Sequence, residues 1–148
     1  MPDRIHLTVA TVVKRDDKFL LVREFSDQKT VLNQPAGHVE PGETPLEAAV
    51  RETLEETGWH VRPTALISFT TYLSPTNGIT YYRLAIAADA VEFDPKATLD
   101  SDIEEALWLD YEEILQNENS LRSPMVMQAI NDYLKGPLYP LDILKTPR

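Results

Sequence analysis

The sequence predicts an α+β fold in which a mixed sheet lies between helices. Segments with period-two alternation occupy the first part of the chain and return after residue 60. A well-capped helical segment interrupts them, and two shorter helical segments follow near the end. No internal repeat or linker divides the 148 residues, so we expect one domain that spans residues 1–148.

The first elements are predicted strands. Residues 5–13 alternate in hydropathy, the charged stretch 14–17 is a turn signal, and residues 18–23 read as the returning strand. Residues 25–30 are polar and predict a loop. Residues 31–34 form a short strand candidate that stops at the following proline.

The best-defined prediction is a helix over residues 45–57. Thr44 is a good N-cap, Pro45 stands where a helix tolerates proline, and Glu47 completes a capping box. Gly58 is placed to end the helix in a left-handed conformation.

The later segments continue the α+β pattern. We predict strands at 61–73 and 79–93 joined by a turn, followed by an acidic loop at 94–102 and a strand at 106–109. A capping box of Asp110 and Glu113 opens a helix that ends near Gln116. Ser123 caps a last helix, which runs from Pro124 to about Lys135. The tail from Gly136 contains three prolines and is expected to be extended.

Composition excludes several function classes. The chain has no cysteine, which excludes disulfides, thiolate metal sites and cysteine nucleophiles. Its formal net charge is -10 and it has no cluster of Lys and Arg, which argues against a nucleic-acid partner. No apolar run is long enough for a signal peptide or a membrane span. We expect a cytoplasmic protein with no membrane association.

Three glutamates of the predicted helix carry the chemistry. At 100° per residue, Glu52, Glu55 and Glu56 fall on one side, opposite a predicted buried stripe of Leu46, Val50, Thr53 and Leu54, joined by Ala49 and Thr57. Like charges at this spacing destabilise a helix by roughly a few tenths of a kcal/mol per pair. A hard divalent cation such as Mg²⁺, which takes oxygen ligands, would reverse that effect. A merely solvated acidic face is the alternative.

Arg51 lies between carboxylates on this helix. It can pair with Glu47 or Glu55, with Glu43 as a second possible partner, and so hold the acidic side chains in register.

The wider pattern decides between a metal site and a solvated face. Gly37, Glu43, Arg51, Glu52, Glu55, Glu56 and Gly58 occupy all seven fixed positions of a segment, residues 37–59, that resembles the Nudix box. Thr53 and Trp59 stand where aliphatic residues are usual. Both are packing positions.

The Nudix resemblance implies an α/β/α sandwich with a central mixed sheet. It implies that Glu52, Glu55 and Glu56 bind Mg²⁺ or Mn²⁺, that the Gly37 carbonyl is a further ligand, and that Arg51 orients the ligands. The implied reaction is in-line attack of a metal-activated water on phosphorus, and the implied substrates are nucleoside diphosphates linked to another moiety. Many members carry a further Glu six residues before a Trp. Asp102 has that spacing from Trp108.

Asp102 is therefore a candidate base or metal ligand. Asp100 and Glu105 are neighbours that could replace it, and an ordinary acidic solvent loop is the alternative.

Further segments resemble a group of bacterial Nudix phosphatases. The segments are residues 33–38, 100–103, 113–115, 121–124 and 139–141. That group releases orthophosphate from nucleoside triphosphates and diphosphates, from hydroxymethylpyrimidine diphosphate and from thiamine diphosphate. Leu32 departs from the pattern, because an aromatic residue that could stack on a base or pyrimidine is expected there.

Substrate contacts are less well defined. Gln34 and His38 flank the box loop and could meet phosphate, although His38 could equally be structural. Tyr82, with Tyr72 and Tyr81, could stack on a base or could simply pack in the sheet. Arg122, the remaining cationic candidate, could contact a terminal phosphate or pair with the acidic surface.

Three alternatives remain at this point. One is an ADP-ribose pyrophosphatase or another nucleoside-diphosphate pyrophosphatase, one is a non-catalytic Nudix module that senses a ligand, and one is an RNA-decapping role, which the net charge of -10 disfavours. We expect a small-molecule substrate and a monomer or a weak homodimer.

Overall fold

The computed structural model describes residues 4–147. Its strands are β1 (Ile5–Arg15), β2 (Lys18–Ser26), β3 (Lys29–Asn33), β4 (Ala36–His38), β5 (Trp59–Leu73), β6 (Thr80–Phe93) and β7 (Ile103–Asp110). Its α-helices are α1 (Pro45–Thr57), α2 (Tyr111–Gln116) and α3 (Met125–Lys135), and two 3-10 turns cover Glu118–Ser120 and Leu141–Ile143. Among these residues, no helix has the length and apolar character needed to cross a membrane.

The strands form one mixed sheet. Its order is β3-β2-β1-β6-β5, with β4 paired to β1 and β7 paired to β2. The β1–β6 pair is parallel and the other pairs are antiparallel. Strand β1 changes neighbour along its length, because Thr8, Val9 and Ala10 pair with β4 whereas Lys14 and Arg15 pair with β2.

The helices cover both faces of the sheet. Successive residues of a strand point to opposite faces, so Val12 and Ala87 pack in one hydrophobic cluster and Val9 and Ile86 in another. The first cluster includes residues of α2 and α3, namely Ile114, Ala129 and Ile130. The second includes Ala48 and Ala49 of α1. The predicted α+β sandwich is confirmed.

Helix α1 has the predicted ends. Glu47 N–H donates to Thr44 Oγ1 (3.1 Å) and Thr44 N–H donates to Glu47 Oε1 (2.9 Å), which closes the capping box. Gly58 ends the helix with a φ of 80°.

The predicted buried stripe of α1 is wrong for three of its residues. The buried residues are Ala48, Ala49, Thr53, Glu56 and Thr57, whereas Leu46, Val50 and Leu54 are only half-buried. Glu56, expected on the outer face, is 7% exposed. Its burial is possible because Ala36 N–H donates to Glu56 Oε1 (3.0 Å), which satisfies one of its oxygens.

The loop predicted at residues 25–30 is also wrong. Strand β2 continues to Ser26 and β3 begins at Lys29, so the two form a hairpin. Asp27 and Gln28 make its two-residue turn with φ of 50° and 65°, the left-handed values that suit the twist of a hairpin. Polar composition misled the prediction because β3 lies at the sheet edge.

Three smaller differences concern element ends. Strand β4 was not predicted, and it forms directly after the proline that ends β3. Helix α3 begins at Met125, whose N–H donates to Ser123 Oγ (3.1 Å). In the tail, Tyr139 N–H donates to Leu66 O and Leu66 N–H donates to Tyr139 O, both at 2.8 Å, before the turn at Leu141–Ile143.

Candidate active site

A cavity of about 1100 Å³ opens beside the point where β1 changes neighbour. Thr8 of β1, Glu24 of β2 and Gly37 of β4 contribute to its wall. Its polar lining includes carboxylates (Glu52, Glu56, Asp102), arginines (Arg83, Arg122) and tyrosines (Tyr72, Tyr81).

Three carboxylates form a compact acidic cluster. Glu52, Glu56 and Asp100 each offer an oxygen, and these oxygens all lie within 4.8 Å of one another. Asp100 reaches the helix because its N–H donates to Glu55 O (3.0 Å), which attaches the acidic loop to the end of α1. The structure thus brings Glu52 and Glu56 together as predicted, but with Asp100 and not with Glu55.

The cluster is electrostatically strained. Burial raises the pKa of Glu56 to about 9, although the hydrogen bond from Ala36 N–H acts in the opposite direction. Burial also raises the pKa of Glu52, against the lowering effect of its hydrogen bond from Arg51. Buried carboxylates that resist ionisation are stabilised as anions when a cation binds between them. The oxygen-only donor set therefore suits a hard divalent cation.

Gly37 allows the closest approach between β4 and α1. A Cβ atom at this position would overlap the Glu52 carboxylate. Any other residue would therefore displace that carboxylate from the acidic cluster. The main chain of Gly37, which pairs with Val9 of β1, lies next to the cluster as a result.

Arg51 holds the outer edge of the acidic cluster. It donates to both oxygens of Glu43 (Nε 2.7 Å, Nη2 2.9 Å), and its Nη1 donates to Glu52 (2.8 Å) and Glu55 (2.7 Å). These hydrogen bonds, that with Glu43 first, raise the pKa of Arg51 beyond its usual value. The Arg51 hydrogen bond in turn lowers the pKa of Glu43 to about 2. The expected pairs with Glu55 and Glu43 are present.

The pair proposed between Arg51 and Glu47 is absent among residues 4–147. Glu47 instead accepts the hydrogen bond from Thr44 N–H in the capping box. Glu105, a candidate replacement for Asp102, pairs with Arg23 and is likewise committed elsewhere. Asp102 itself is exposed and lines the cavity.

Gln34 lies behind the cavity wall and not in it. Its side chain is 1% exposed, its Nε2 donates to Val126 O (2.8 Å), and its Oε1 accepts from Arg83 Nη2 (3.1 Å). This corrects the expectation that Gln34 meets phosphate directly. Its amide orients Arg83 instead.

His38 lines the cavity and is paired with a second histidine. Its Nε2 lies 2.8 Å from His6 Nδ1, and the two rings meet edge to face. Burial, followed by the nearby His6 and Arg122, lowers the pKa of His38. The ring therefore stays neutral at physiological pH. A neutral ring is compatible both with a structural role and with contact to the substrate.

The tyrosines separate by sheet face. Tyr72 and Tyr81 are directly opposite each other on β5 and β6, and both line the cavity. Tyr82, the tyrosine put first in the sequence analysis, points to the other face and packs on Phe69 with ring centroids 6.1 Å apart. Adjacent strand residues cannot share a face, so Tyr82 is replaced by Tyr81 as the candidate.

Leu32 also points away from the cavity. It is 4% exposed and its backbone bridges to Leu121, whereas its neighbours Val31 and Asn33 line the cavity. An aromatic residue at position 32 would not stack on a ligand held in this cavity.

Two further lining residues were not predicted from the sequence. Arg83 stands in the buried half of β6, and Glu24 accepts hydrogen bonds from Arg122 Nη1 (2.7 Å) and Asn33 Nδ2 (3.2 Å). Both are nearly buried, at 5% and 4% exposure. The available signal was a charged residue interrupting an otherwise apolar strand, because buried charge is rare without a partner or a ligand.

Comparison with known proteins identifies the family. The model of the NUDIX domain matches residues 4–129. Phosphatase NudJ of Escherichia coli strain K12 is 42% identical over 139 residues, which cover 94% of this chain and 90% of the relative, and the protein of the same name from Shigella flexneri matches equally well.

Solved structures agree. A NUDIX hydrolase from Nitrosomonas europaea superimposes with a TM-score of 0.94 at 44% identity, covering 96% of this chain and 97% of that one. A UDP-X diphosphatase shares the fold alone, with a TM-score of 0.70 at 16% identity over 88% of this chain and 63% of that one. This chain belongs to the Nudix family and is a Nudix hydrolase.

Proposed function

We propose that this Nudix hydrolase is a Mg²⁺-dependent phosphatase that removes the terminal phosphate from nucleoside triphosphates and diphosphates and from pyrimidine or thiamine diphosphates. The observation that carries the proposal is the composition of one cavity, which is lined by Glu52 and Glu56 of the acidic cluster, by two arginines and by two facing tyrosines. The 42% identity to proteins named phosphatase NudJ supports release of orthophosphate.

The acidic cluster supplies the metal ligands in this proposal. Glu52, Glu56 and Asp100 would hold Mg²⁺, or Mn²⁺, and the Gly37 carbonyl is a further candidate ligand. The three residues suit a cation because their oxygen donors already lie within 4.8 Å of one another. They also suit one because burial disfavours the Glu56 anion, which a bound cation would stabilise. When bound, the cation would lower the pKa of a water and neutralise charge on the phosphate oxygens.

The remaining box residues position these ligands. Arg51 fixes the Glu52 carboxylate through Nη1. Glu55, which shares that nitrogen, keeps Arg51 on the cluster and is available as a ligand at its exposed edge.

The reaction balances as a hydrolysis. A water oxygen bonds to the terminal phosphorus as the bridging P–O bond breaks, and the bridging oxygen leaves with the shortened phosphate. The products are orthophosphate, a compound with one phosphate fewer, and one proton. We assign the Asp102 carboxylate as the acceptor of that proton, because it is exposed and lines the same cavity as Glu52 and Glu56.

Base or pyrimidine binding is assigned to the two tyrosines in the wall. Tyr72 and Tyr81 are paired across β5 and β6, so an aromatic ring could rest on either. Stacking on one tyrosine is worth roughly 1–3 kcal/mol. This adds affinity without strict selection of the base.

The runner-up is cleavage between two phosphates of ADP-ribose or another nucleoside diphosphate derivative, which would yield AMP. A non-catalytic ligand-sensing module is disfavoured, because every box carboxylate is present and two of them meet in the acidic cluster. We further propose a monomer or a weak homodimer that acts in the cytoplasm without a nucleic-acid partner.

The test is direct phosphate measurement on a substrate panel with Mg²⁺. The panel comprises ATP, ADP, ADP-ribose, thiamine diphosphate and hydroxymethylpyrimidine diphosphate, each with and without added pyrophosphatase. Phosphate released from diphosphates and triphosphates without pyrophosphatase is the expected result. Phosphate seen only with pyrophosphatase, or AMP formed from ADP-ribose, would transfer the assignment to the runner-up.

Two variants control this experiment. Glu52→Gln removes one charge from the acidic cluster and should abolish phosphate release, as EDTA should. Glu112→Gln makes the same change on the exposed face of α2 and should leave the rate unchanged. Turnover of none of the compounds would reject the proposed function.

A further inference from the structure

Arg83 is a buried cation with unused hydrogen-bond donors in the cavity wall. Arg83 is only 5% exposed, yet it lines the cavity. Its Nη2 donates to Asn33 Oδ1 (3.3 Å) and to Gln34 Oε1 (3.1 Å). The guanidinium has five N–H donors, and among residues 4–147 its Nε and Nη1 have no partner.

The protein partners of Arg83 do not neutralise its charge. Both are neutral amides, and no carboxylate of the described residues forms an ion pair with it. Burial lowers the pKa of Arg83 to about 10, and the nearby Arg122 adds to that effect. The side chain still carries its charge at neutral pH. Glu24 and Glu56 lie near enough to act on its pKa in the opposite direction, but neither forms an ion pair with it, and Glu24 already pairs with Arg122. A buried charge that is only partly compensated is costly unless a ligand supplies a counter-ion.

Arg122 places a second cation beside the first. Its side chain is 45% exposed and its Nη1 donates to the nearly buried Glu24 (2.7 Å). Its backbone N–H donates to Leu32 O (2.8 Å), which fixes the loop before α3 against β3. Asn33 Nδ2 also donates to Glu24. One network of Glu24, Asn33 and Gln34 therefore orients both guanidinium groups.

We propose that Arg83 and Arg122 form a phosphate-binding subsite for the leaving-group side of the cleaved bond. Planar guanidinium groups bind phosphate through parallel N–H donors. Both arginines line the cavity that also holds Glu56 and Tyr81, and Arg83 is close enough to Glu56 to interact with it electrostatically. The choice of the leaving-group phosphate rests on the proposed function. The existence of the anion site does not.

The subsite predicts a substrate requirement. A leaving group that itself carries a phosphate satisfies the buried charge of Arg83, whereas an uncharged leaving group does not. Diphosphates and triphosphates should therefore be substrates, and a phosphomonoester of similar size should be hydrolysed poorly.

Anion binding can be measured without metal or turnover. The protein, labelled with ¹⁵N and kept in EDTA at constant ionic strength, is titrated with inorganic phosphate while the arginine Nε–H signals are recorded. We expect saturable shifts of the Arg83 and Arg122 signals. Arg83→Lys and Arg122→Gln should each weaken the apparent phosphate affinity by about ten-fold or more, since each removes charge-assisted hydrogen bonds.

Arg62→Gln is the matched control. Arg62 lies on β5, is 70% exposed and pairs with Asp89, so its loss should leave phosphate affinity unchanged. Phosphate shifts that persist at wild-type affinity in both cavity variants, or no saturable shift in the wild type, would overturn the subsite. If Arg83→Lys does not fold, Arg122→Gln decides the question, because that side chain is partly exposed.

Kinetics with Mg²⁺ then separates the two proposals. Arg122→Gln is expected to raise KM for ADP by about ten-fold and to change kcat much less. Saturable phosphate binding without hydrolysis of any panel compound would leave the subsite standing and reject the phosphatase. Hydrolysis with an unchanged KM for ADP in Arg122→Gln would do the reverse.

Discussion

Nη1 of Arg51 donates to Glu52 at 2.8 Å and to Glu55 at 2.7 Å, so one nitrogen atom fixes two carboxylates of the same helix. The other side of the guanidinium is held by both oxygens of Glu43. The position of Glu52 within the acidic cluster thus depends on a side chain that does not enter the cluster itself.

Arg51→Lys should therefore impair metal use more than folding. A lysine offers one point charge and cannot hold Glu43, Glu52 and Glu55 together. Loss of such an outer contact typically costs about 10–100-fold in metal affinity or activity. Phosphate release measured against Mg²⁺ concentration should show the midpoint moving upward, and Arg62→Lys should not move it. An unchanged midpoint would mean that Arg51 does not position the ligands.

Gly37→Ala should inactivate the enzyme while leaving it folded. The three atoms nearest to the added Cβ all belong to the carboxylate end of Glu52, which can rotate away at little cost to packing. In EDTA, the free energy of unfolding should change by about 1 kcal/mol or less. In Mg²⁺, phosphate release should fall by at least about ten-fold. A variant that keeps wild-type activity would show that Glu52 is not needed in the acidic cluster.

Glu56 makes the metal-free protein less stable as pH rises. Its pKa in the folded state is about 9 against a usual 4.5, so between these values the folded state binds more protons than the unfolded state. The contribution of Glu56 to the free energy of unfolding is therefore fully present below pH 4.5 and is lost as pH rises towards 9.

Glu56→Gln tests this dependence. The variant should unfold at a higher temperature than the wild type in EDTA at about pH 8.5, and the difference should vanish in acid. Mg²⁺ should raise the unfolding temperature of the wild type but not that of the variant. Parallel unfolding curves at all pH values would contradict the assigned pKa.

The neighbouring residues Tyr81 and Tyr82 should differ sharply in their effect on substrate. Tyr81 lines the cavity and Tyr82 packs on the opposite face of the sheet. Tyr81→Ala should raise KM for ADP by about ten-fold through lost stacking, whereas Tyr82→Ala should leave it unchanged. Equal effects of the two substitutions on KM would remove the tyrosines from the ring-binding role.

Local signals were sufficient for most of the elements. The capping box of Thr44 and Glu47 and the left-handed Gly58 are properties of a short segment. They could be predicted without knowledge of any tertiary contact. The hairpin at Asp27 and Gln28 was missed, because neither residue is a glycine although both have positive φ. Their polar character indicated only a turn of unknown length.

The candidate site was harder to predict where it depends on tertiary contacts. Helical spacing identified Glu52 and Glu56, but it could not show that Asp100, far along the chain, reaches them in place of Glu55. Spacing also could not rank Tyr81 above Tyr82, because the sheet face depends on register. Arg83 gave almost no local signal, since its meaning depends on the cavity that it lines.

The attachment of Asp100 to α1 is made by main-chain atoms alone, from Asp100 N–H to Glu55 O. Side chains of the surrounding loop, residues 94–102, are therefore not needed to keep an acidic group beside the helix. The loop can accumulate substitutions, provided that position 100 retains its N–H and its carboxylate and that Asp102, the proposed proton acceptor, is kept. Mutational tolerance in this enzyme should therefore be high within a few residues of a candidate metal ligand, where alignments would ordinarily be expected to show the strictest constraint.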